Sequence, residues 1–308
     1  MSLPFLIRTR WCHVALLLAL VCGGAARAGE DIYLFSYFKS SKGIHLAASE
    51  DGLRFKALND GNPIMMPADW EGGDLTRDPS IVYHDGLFHM VWGIAHSGSS
   101  FGYATSVDLV TWSEPLRVFP FGEVPPSALW APEITWDPLR EELVVVFSWG
   151  HIPHVTRSKD GRQWSKGEKF FDMGFVCIDG FLVLHETASG PEWIMIHKDE
   201  RNVEHGGKNL SVARISGDFS GSWTRDPQPI VGPGTAVNAH TMTEGPSMIN
   251  RNGEWWLYWD SPQAHMIGLA TSTDLVNWVD RTGDLVVPDR ARHGTVFRAP
   301  RAAVGWPL

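Results

Sequence analysis

The chain has 308 residues, of which 44% are hydrophobic and 20% are charged, and it contains 15 Trp, 31 Gly and 20 Pro. This composition excludes a disordered protein and favours short strands and tight turns over long helices. The formal net charge of −9 at pH 7 disfavours a nucleic-acid ligand, because an acidic protein repels phosphate backbones. The absence of a G-x-y period or a sustained heptad repeat in the sequence excludes collagen and coiled coils.

The N-terminal segment 1–28 is typical of a signal peptide. Arg8 and Arg10 precede the apolar stretch 11–21, and a small-x-small cleavage site follows at 26–28. The apolar stretch is far shorter than the roughly 20 residues that a membrane-spanning helix needs. We therefore predict a secreted or periplasmic protein that begins at Gly29 and has no membrane association after cleavage.

The number of cysteines limits how the mature chain can be stabilised. Cys12 and Cys22 leave with the predicted signal peptide, and Cys177 remains alone. A single thiol forms no intramolecular disulfide, so stability must come from a large hydrophobic core. We expect one catalytic domain over 29–308.

A short motif recurs five times along the chain. It consists of Ser-x-Asp, then Gly or Leu, two further residues and an aromatic residue, and the copies lie about one four-stranded propeller blade apart. The Ser and Asp are expected to cap a tight turn, while the aromatic residue packs between neighbouring blades. The sequence therefore predicts an all-β fold, a five-bladed β-propeller. The copies are Ser49-Asp51-Phe55, Ser106-Asp108-Trp112, Ser158-Asp160-Trp164, Ser216-Asp218-Trp223 with one extra residue, and Ser272-Asp274-Trp278.

Five short segments between these motifs fit the innermost strand of a blade, which lines the central channel. Each contains an ionisable residue near its start, in phase with the blades. Four carboxyl groups and an imidazole would then meet near one mouth of the channel, which is the composition of an active site. The segments are 77–82, 131–134, 177–182, 243–248 and 292–297, and their ionisable residues are Asp78, Glu133, Asp179, Glu244 and His293.

The remaining apolar segments predict how the ring closes. Second strands are expected at 87–92, 143–149, 192–197 and 255–260. Two N-terminal strands, 32–38 and 44–48, have no inner strand before them, whereas the inner strand at His293 comes last in the chain. We therefore predict that the N-terminal strands complete the C-terminal blade and hide its edges.

These residues resemble glycoside hydrolase family 43, whose members are five-bladed β-propeller enzymes that remove arabinose, xylose or related sugars from plant polysaccharides. The resemblance covers essentially all of the mature chain, and Lys198-Asp199-Glu200 with Lys208-Asn209-Leu210 is most similar to an arabinosidase-like branch. The motifs that carry it are Arg-Asp-Pro-Ser-Ile at 77–81, Leu-Trp-Ala-Pro-Glu at 129–133, Ile-Asp at 178–179, Glu-Gly-Pro at 244–246 and Arg-His-Gly-Thr-Val at 292–296.

The resemblance implies three catalytic carboxyl groups. Asp78 would be the general base, Glu244 the general acid, and Asp179 a third carboxylate that orients the acid. Glycoside hydrolysis needs one carboxylic acid to protonate the leaving oxygen and one carboxylate on the opposite face of the sugar. We predict inversion of configuration, with these two groups about 6.5–9.5 Å apart. An ionised Asp179 is expected to raise the pKa of Glu244 and to keep it protonated at neutral pH.

Sugar binding needs flat apolar surfaces and hydrogen-bonding groups as well. No cofactor is required, but some family members hold an axial histidine near a bound calcium or a water cluster, and the resemblance places His293 there. A single imidazole is a poor calcium site, because calcium prefers six to eight oxygen ligands. The predicted substrate contacts are Arg77, Trp92, Trp130, Glu133, Trp149, Lys198 and His293.

Several interpretations of the function stay open. The expected ligand is a neutral oligo- or polysaccharide with terminal α-L-arabinofuranosyl residues, and a β-xylosidase or galactofuranosidase on the same fold is the alternative. Fructan-hydrolysing propellers share Arg-Asp-Pro, but they also use Asn-Asp-Pro-Asn and Glu-Cys, which this chain lacks. A non-catalytic glycan-binding propeller is an alternative from another class. A monomer is expected, since no amphipathic helix or heptad indicates a partner.

Overall fold

A computed structural model describes residues 31–125, 127–235, 237 and 242–308 of the chain. Within these ranges, twenty strands form five four-stranded antiparallel sheets, joined by turns and short 3₁₀ helices. The helices in this part of the chain are all too short to cross a membrane. The predicted signal peptide, 1–28, lies outside the described residues.

The blades follow one another along the chain. Blade 1 contains β4–β7, blade 2 β8–β11, blade 3 β12–β15, blade 4 β16–β19, and blade 5 β20 with β1, β2 and β3. The 3₁₀ helices are Asn59–Gly61, Val203–His205, Thr282–Asp284 and Arg301–Ala303. The strands are β1 (Asp31–Phe38), β2 (Ile44–Ser49), β3 (Lys56–Ala57), β4 (Arg77–His84), β5 (Leu87–Gly93), β6 (Phe101–Ser106), β7 (Leu116–Val118), β8 (Leu129–Asp137), β9 (Glu142–Trp149), β10 (Ile152–Ser158), β11 (Glu168–Lys169), β12 (Cys177–Thr187), β13 (Gly190–Asp199), β14 (Asn209–Ser216), β15 (Thr224–Arg225), β16 (Glu244–Arg251), β17 (Glu254–Ser261), β18 (Met266–Ser272), β19 (Val279–Asp280) and β20 (Val296–Pro300).

The predicted five-bladed propeller is confirmed, and so is the way in which its ring closes. The innermost strands are β4, β8, β12, β16 and β20, each at the edge of its sheet. The last of these pairs with β1, so that Leu34 lies opposite Phe297. The N-terminal strands therefore complete the blade whose inner strand comes last in the chain. Because β1 pairs with β20, no strand edge is left unpaired between them.

The repeated Ser-x-Asp motif forms the turn between the third and fourth strands of each blade. Ser49 Oγ donates to Asp51 Oδ1 at 2.9 Å, and the backbone N–H groups of Leu53 and Arg54 donate to the same oxygen at 2.8 and 2.9 Å. The same Ser–Asp hydrogen bond recurs in the other four copies. The third strand ends here because the side chains, not a neighbouring strand, satisfy the backbone donors.

The aromatic residue of each motif packs against the preceding blade, as predicted. Trp164 of blade 2 meets Tyr103 of blade 1 edge to face, with ring centroids 5.3 Å apart. Phe55 of blade 5 meets Tyr258 of blade 4 in the same way at 6.1 Å. These edge-to-face contacts hold neighbouring blades at a fixed distance around the ring.

A β-bulge interrupts each of the first four inner strands near its start. In every one, two paired residues are separated by an extra residue, and one residue adopts positive φ, which bends the strand and redirects its side chains. The bulges give an internal alignment of the blades that the sequence does not show. Their positive-φ residues are Asp78 (48°), Ala131 (45°), Asp179 (52°) and Gly245 (57°).

This alignment corrects the interpretation that the ionisable residues occupy equivalent positions. Asp78 and Asp179 lie at the bulge, whereas Glu244 precedes it by one residue and Glu133 follows it by two. The approach to blade 5 also carries an extra residue, since Arg292 pairs with Phe38 but Val296 with Phe35. The ionisable side chains therefore enter the central channel at different positions along its axis.

Candidate active site

A cavity of about 240 Å³ lies where the inner strands begin. It brings together seven of the ten predicted site residues, which come from all five inner strands or their approaches and from the second strand of blade 3. The seven are Arg77, Asp78, Trp130, Asp179, Lys198, Glu244 and His293, and the other lining residues are Gly93, Ala95, His96, Leu129, Ile178, Glu200 and Met242.

His293 lies between two buried carboxyl groups. Its Nδ1 is 3.4 Å from Asp78 Oδ1, and its Nε2 is 3.7 Å from Glu133 Oε1. Burial opposes the charged form, but Asp78 and Glu133 outweigh it and raise the pKa of His293 to about 10. The imidazole is therefore positively charged at neutral pH and holds Asp78 in place by an ion pair.

These residues do not fit a calcium ion at His293. Its Nδ1 and Nε2 already face Asp78 and Glu133 at 3.4 and 3.7 Å, and one imidazole with two carboxyl groups falls short of the six to eight oxygen ligands that calcium prefers. Within the described part of the chain, no cluster of three or more His, Cys, Asp or Glu could hold a metal. The positive charge of His293 stands between Asp78 and Glu133 instead.

Glu244 is held by one cation on each carboxylate oxygen. Lys198 Nζ lies 3.0 Å from Oε2, and Arg292 Nη2 lies 3.1 Å from Oε1. Burial alone would raise the pKa of Glu244, but Lys198, His293 and Arg292 together lower it. The expectation that Asp179 keeps Glu244 protonated is therefore wrong for this arrangement, because these cations favour the carboxylate.

The two cations are themselves anchored by acidic residues. Lys198 Nζ lies 2.8 Å from Glu200, and Arg292 Nε lies 2.7 Å from Asp260 Oδ2. The backbone N–H of His293 donates to that same oxygen at 3.1 Å. Asp260 is fully buried, and burial raises its pKa to about 6.

Sequence reasoning missed Arg292, Glu200 and Asp260 as site residues. Glu200 follows Lys198 by two residues, so strand alternation could have found it. Arg292 directly precedes His293 and lies before β20, so alternation does not place the two side chains together. Asp260 gave no such signal, because a carboxylate at the end of a Trp-rich strand is indistinguishable from an ordinary strand terminus.

Asp179 is the carboxyl group of this cavity that most readily holds a proton. Burial raises its pKa to about 6. Its Oδ2 accepts from the Gly245 N–H at 3.3 Å, and its own N–H donates to Ser148 Oγ at 3.3 Å. Gly245 is required here, because its φ is positive and a Cβ would lie 2.6 Å from the His293 ring.

Arg77 and Trp130 form one wall of the cavity around His96. Arg77 Nη1 donates to His96 Nδ1 at 3.0 Å, and Trp130 Nε1 donates to the His96 carbonyl at 2.8 Å. The Arg77 guanidinium also stacks over Phe38 at 5.3 Å. The wall therefore offers a fixed cation beside a flat aromatic surface, as the sequence predicts for a sugar-binding site.

Three predicted substrate contacts do not line the cavity. Trp92 is fully buried inside blade 1 and stacks on Trp70 with ring centroids 6.4 Å apart. Trp149 packs against Phe121 at 4.8 Å. Glu133 lies behind His293 and accepts from Thr295 Oγ1 at 2.9 Å, because the bulge places it two residues deeper in its strand. These side chains support the site from outside.

Residues 30–303 match the model of a family related to glycoside hydrolase family 43, which is described as "Probable glycosyl hydrolase domain". The chain belongs to this glycoside hydrolase family. Comparison with curated proteins found no match.

Solved structures of glycoside hydrolases share the fold of this family member. A thermostable family-43 glycoside hydrolase is 19% identical over 67% of this chain and 72% of its own, with a TM-score of 0.51. The catalytic domain of a family-62 α-L-arabinofuranosidase from Coprinopsis cinerea is 15% identical over 75% of each chain, with a TM-score of 0.54. An exo-β-1,3-galactanase from Phanerochaete chrysosporium, solved with β-1,3-galactotriose, is 14% identical over 75% of this chain and 52% of its own, with a TM-score of 0.53.

Proposed function

We propose that this glycoside hydrolase removes terminal α-L-arabinofuranosyl residues from plant-type glycans with inversion of configuration. The observation that carries the proposal is that Asp78, Asp179 and Glu244 line a single cavity in a chain of this family. Three carboxyl groups on three different blades provide an acid, a base and a third group that adjusts the charge around them.

Each carboxyl group has one role in the proposed reaction. Asp78 accepts a proton from the water that attacks the anomeric carbon, while Glu244 donates a proton to the leaving oxygen. The ion pair with His293 fixes the orientation of Asp78 towards that water. Asp179 contributes a buried carboxyl group of raised pKa beside the acid.

The walls of the cavity support a single neutral sugar at the end of a glycan. Arg77 and Lys198 supply hydrogen-bond donors for sugar hydroxyls, and Trp130 supplies an apolar face. A cavity of about 240 Å³ is small, which favours exo action on a terminal residue. We further propose that the enzyme works as a secreted or periplasmic monomer after loss of 1–28.

Proton NMR of the protein with an aryl α-L-arabinofuranoside tests the activity and its stereochemistry together. Inversion releases β-arabinose first, and the α-anomer follows only by mutarotation. Immediate appearance of the α-anomer would overturn inversion and indicate a covalent intermediate. If no arabinose is released, the arabinosidase assignment fails, and aryl xylosides and galactofuranosides are tested next.

A glycan-binding propeller without catalysis is distinguished by one variant. In an enzyme, Glu244→Gln abolishes turnover but retains sugar binding, because the amide fills the same space without an acidic proton. If the wild-type protein binds glycans yet hydrolyses no glycoside of the panel, the catalytic proposal is wrong.

A further inference from the structure

Glu244 cannot donate a proton while a cation lies on each of its two oxygens. Both of its oxygens lie within 3.1 Å of a cation, and its pKa is lowered rather than raised. A general acid instead needs a proton on the oxygen that faces the leaving group. One of the two cations must therefore leave Glu244 before the reaction.

The two cations differ in their access to the cavity. Arg292 is held by the fully buried Asp260 at 2.7 Å, its guanidinium stacks over Phe38 at 5.7 Å, and it is not among the lining residues. Lys198 and its second partner Glu200 both line the cavity. A sugar in the cavity can therefore contact Lys198.

Glu200 is a second acidic partner that the Lys198 ammonium already contacts. Its Oε2 lies 2.8 Å from Lys198 Nζ, and its Oε1 lies 2.6 Å from Lys208 Nζ. Lys198 keeps this partner when it leaves Glu244, so a sugar hydroxyl needs to replace one carboxylate oxygen only. The cost of burying an unpaired ammonium is thereby avoided.

We propose that a bound sugar displaces the Lys198 ammonium from Glu244, and that Glu244 takes up its catalytic proton only then. This inference rests on the proposed hydrolysis and adds a step to it: occupancy of the cavity creates the acid. Before a sugar binds, Glu244 stays a carboxylate, and Lys198 is its positioning residue.

The protons balance over one turnover. Glu244 gains one proton from the solvent when the sugar binds and gives it to the leaving oxygen when the glycosidic bond breaks. Asp78 takes one proton from the attacking water and returns it to the solvent after the products leave. Lys198 then pairs with the ionised Glu244 again.

The expected pH dependence follows from all charged groups around Glu244. Opposite charges a few ångströms away lower a carboxyl pKa by about 1–3 units, so removing one cation raises it. The groups that act on Glu244 or its partners are Lys198 on β13, Asp179 on β12, Asp260 on β17, Arg292 and His293 before β20, Asp78 on β4 and Glu200 after β13.

The first test compares pH profiles of hydrolysis of an aryl α-L-arabinofuranoside. The alkaline limb of kcat/KM reports the acid in the free enzyme, and that of kcat reports it in the complex. We expect the limb of kcat to lie about 1–3 pH units higher in the wild type. Lys198→Met should move the kcat/KM limb up towards that of kcat, whereas Lys198→Arg should keep it low.

The exposed Lys169, which pairs with Asp172 far from the cavity, provides the matched control. Lys169→Met should reproduce both wild-type limbs. Coincident limbs in the wild type, or an unchanged kcat/KM limb in a folded Lys198→Met variant, would overturn the proposal.

A second test needs no hydrolysis. ¹³C NMR of protein labelled at the Glu carboxyl carbons, with the Glu244 signal assigned by its loss in Glu244→Gln, follows this titration directly. The titration midpoint of Glu244 should rise when L-arabinose binds to the wild-type protein, and also in sugar-free Lys198→Met.

If Lys198→Met fails to fold, the wild-type measurement decides. A midpoint that does not change when arabinose binds overturns the proposal. Hydrolysis without these shifts overturns the role of Lys198 alone, whereas shifts without hydrolysis of any glycoside overturn the proposed function.

Discussion

Asp179 and Glu244 line the same cavity, yet their pKa values move in opposite directions. Burial dominates at Asp179 and raises its pKa to about 6, whereas Lys198, His293 and Arg292 overcome burial at Glu244 and lower its pKa. These two carboxyl groups therefore differ in pKa because only Glu244 has a cation on each oxygen.

Glu244→Gln is expected to lower kcat by about 10²–10⁴-fold, because the amide carries no acidic proton. Steady-state kinetics on the aryl α-L-arabinofuranoside measures the loss. The exposed Glu204, changed to Gln in a matched control, should leave kcat unchanged. A kcat within a few-fold of wild type for Glu244→Gln would contradict its role as the acid.

His293 makes stability depend on pH at the alkaline end. Its pKa is 6.5 when unperturbed and about 10 in the fold, so its contribution is fully present below pH 6.5 and is lost as the pH rises through 10. Urea unfolding at pH 6, 8 and 10 should therefore show a fall in the free energy of unfolding that His293→Gln lacks. In the control variant His205→Gln, which changes an exposed side chain, the free energy of unfolding should fall as it does in the wild type. Parallel curves for wild type and His293→Gln would contradict the raised pKa.

At the scale of the elements, a side-chain-capped turn shapes all five blades and a β-bulge shapes the first four. The Ser-x-Asp turn ends the third strand, and the bulge near the start of the first strand turns side chains into the cavity. The turn is visible as a motif because its hydrogen bonds need particular side chains. The bulge is a change in backbone conformation, and residues as different as Asp78, Ala131 and Gly245 occupy it.

Asp51→Ala tests the turn in blade 5. Partial burial raises the pKa of Asp51, but the N–H groups of Arg54 and Leu53 outweigh it and lower the pKa to about 2. Losing these bonds is expected to cost about 1–2 kcal/mol at pH 7 by urea unfolding. A depressed pKa means that the contribution is present above about pH 3.8 and is lost as the pH falls through about 2.

The difference between wild type and Asp51→Ala should therefore shrink at pH 2.5. Asp51→Asn keeps an acceptor oxygen and should lie between the two proteins at pH 7. Equal stability of wild type and Asp51→Ala at pH 7 would show that the turn does not depend on this side chain.

At the scale of the whole molecule, closure of the ring joins the two ends of the described chain in one blade. The inner strand β20 pairs with β1, and Arg292 and His293 enter the cavity from the approach to that strand. Closure of the propeller and assembly of the charged site therefore depend on the same strand.

Phe297→Ala tests the contribution of this closing strand. The Phe297 side chain is buried and meets Phe88 of blade 1 with ring centroids 6.3 Å apart. Its truncation leaves a cavity between blades and is expected to cost about 3–5 kcal/mol. Thermal and urea unfolding measure the loss. The control variant Val276→Ala, which changes an exposed side chain, should lower the free energy of unfolding by less than about 0.5 kcal/mol. A similarly small loss for Phe297→Ala would contradict its packing between the blades.

The amino-acid sequence by itself determined the architecture and half of the residues that line the site. Strand alternation, turn chemistry and a repeated motif act over short stretches of chain, so the five blades, their inner strands and the closing of the ring could all be derived from local patterns. The same reasoning brought Asp78, Asp179 and Glu244 to one mouth of the channel.

Only the tertiary structure decided where these groups lie along the central channel and which neighbours set their charge. A bulge shifts every later side chain of a strand and leaves no fixed residue signature, which is why Glu133 lies behind His293. Trp92 lies inside its blade because it packs on Trp70, a contact that the strand pattern does not reveal. Charge state depends on neighbours from distant parts of the chain, such as Lys198 and Arg292 on Glu244. The pKa of a buried group is a property of its surroundings, and those surroundings exist only once the five blades have closed.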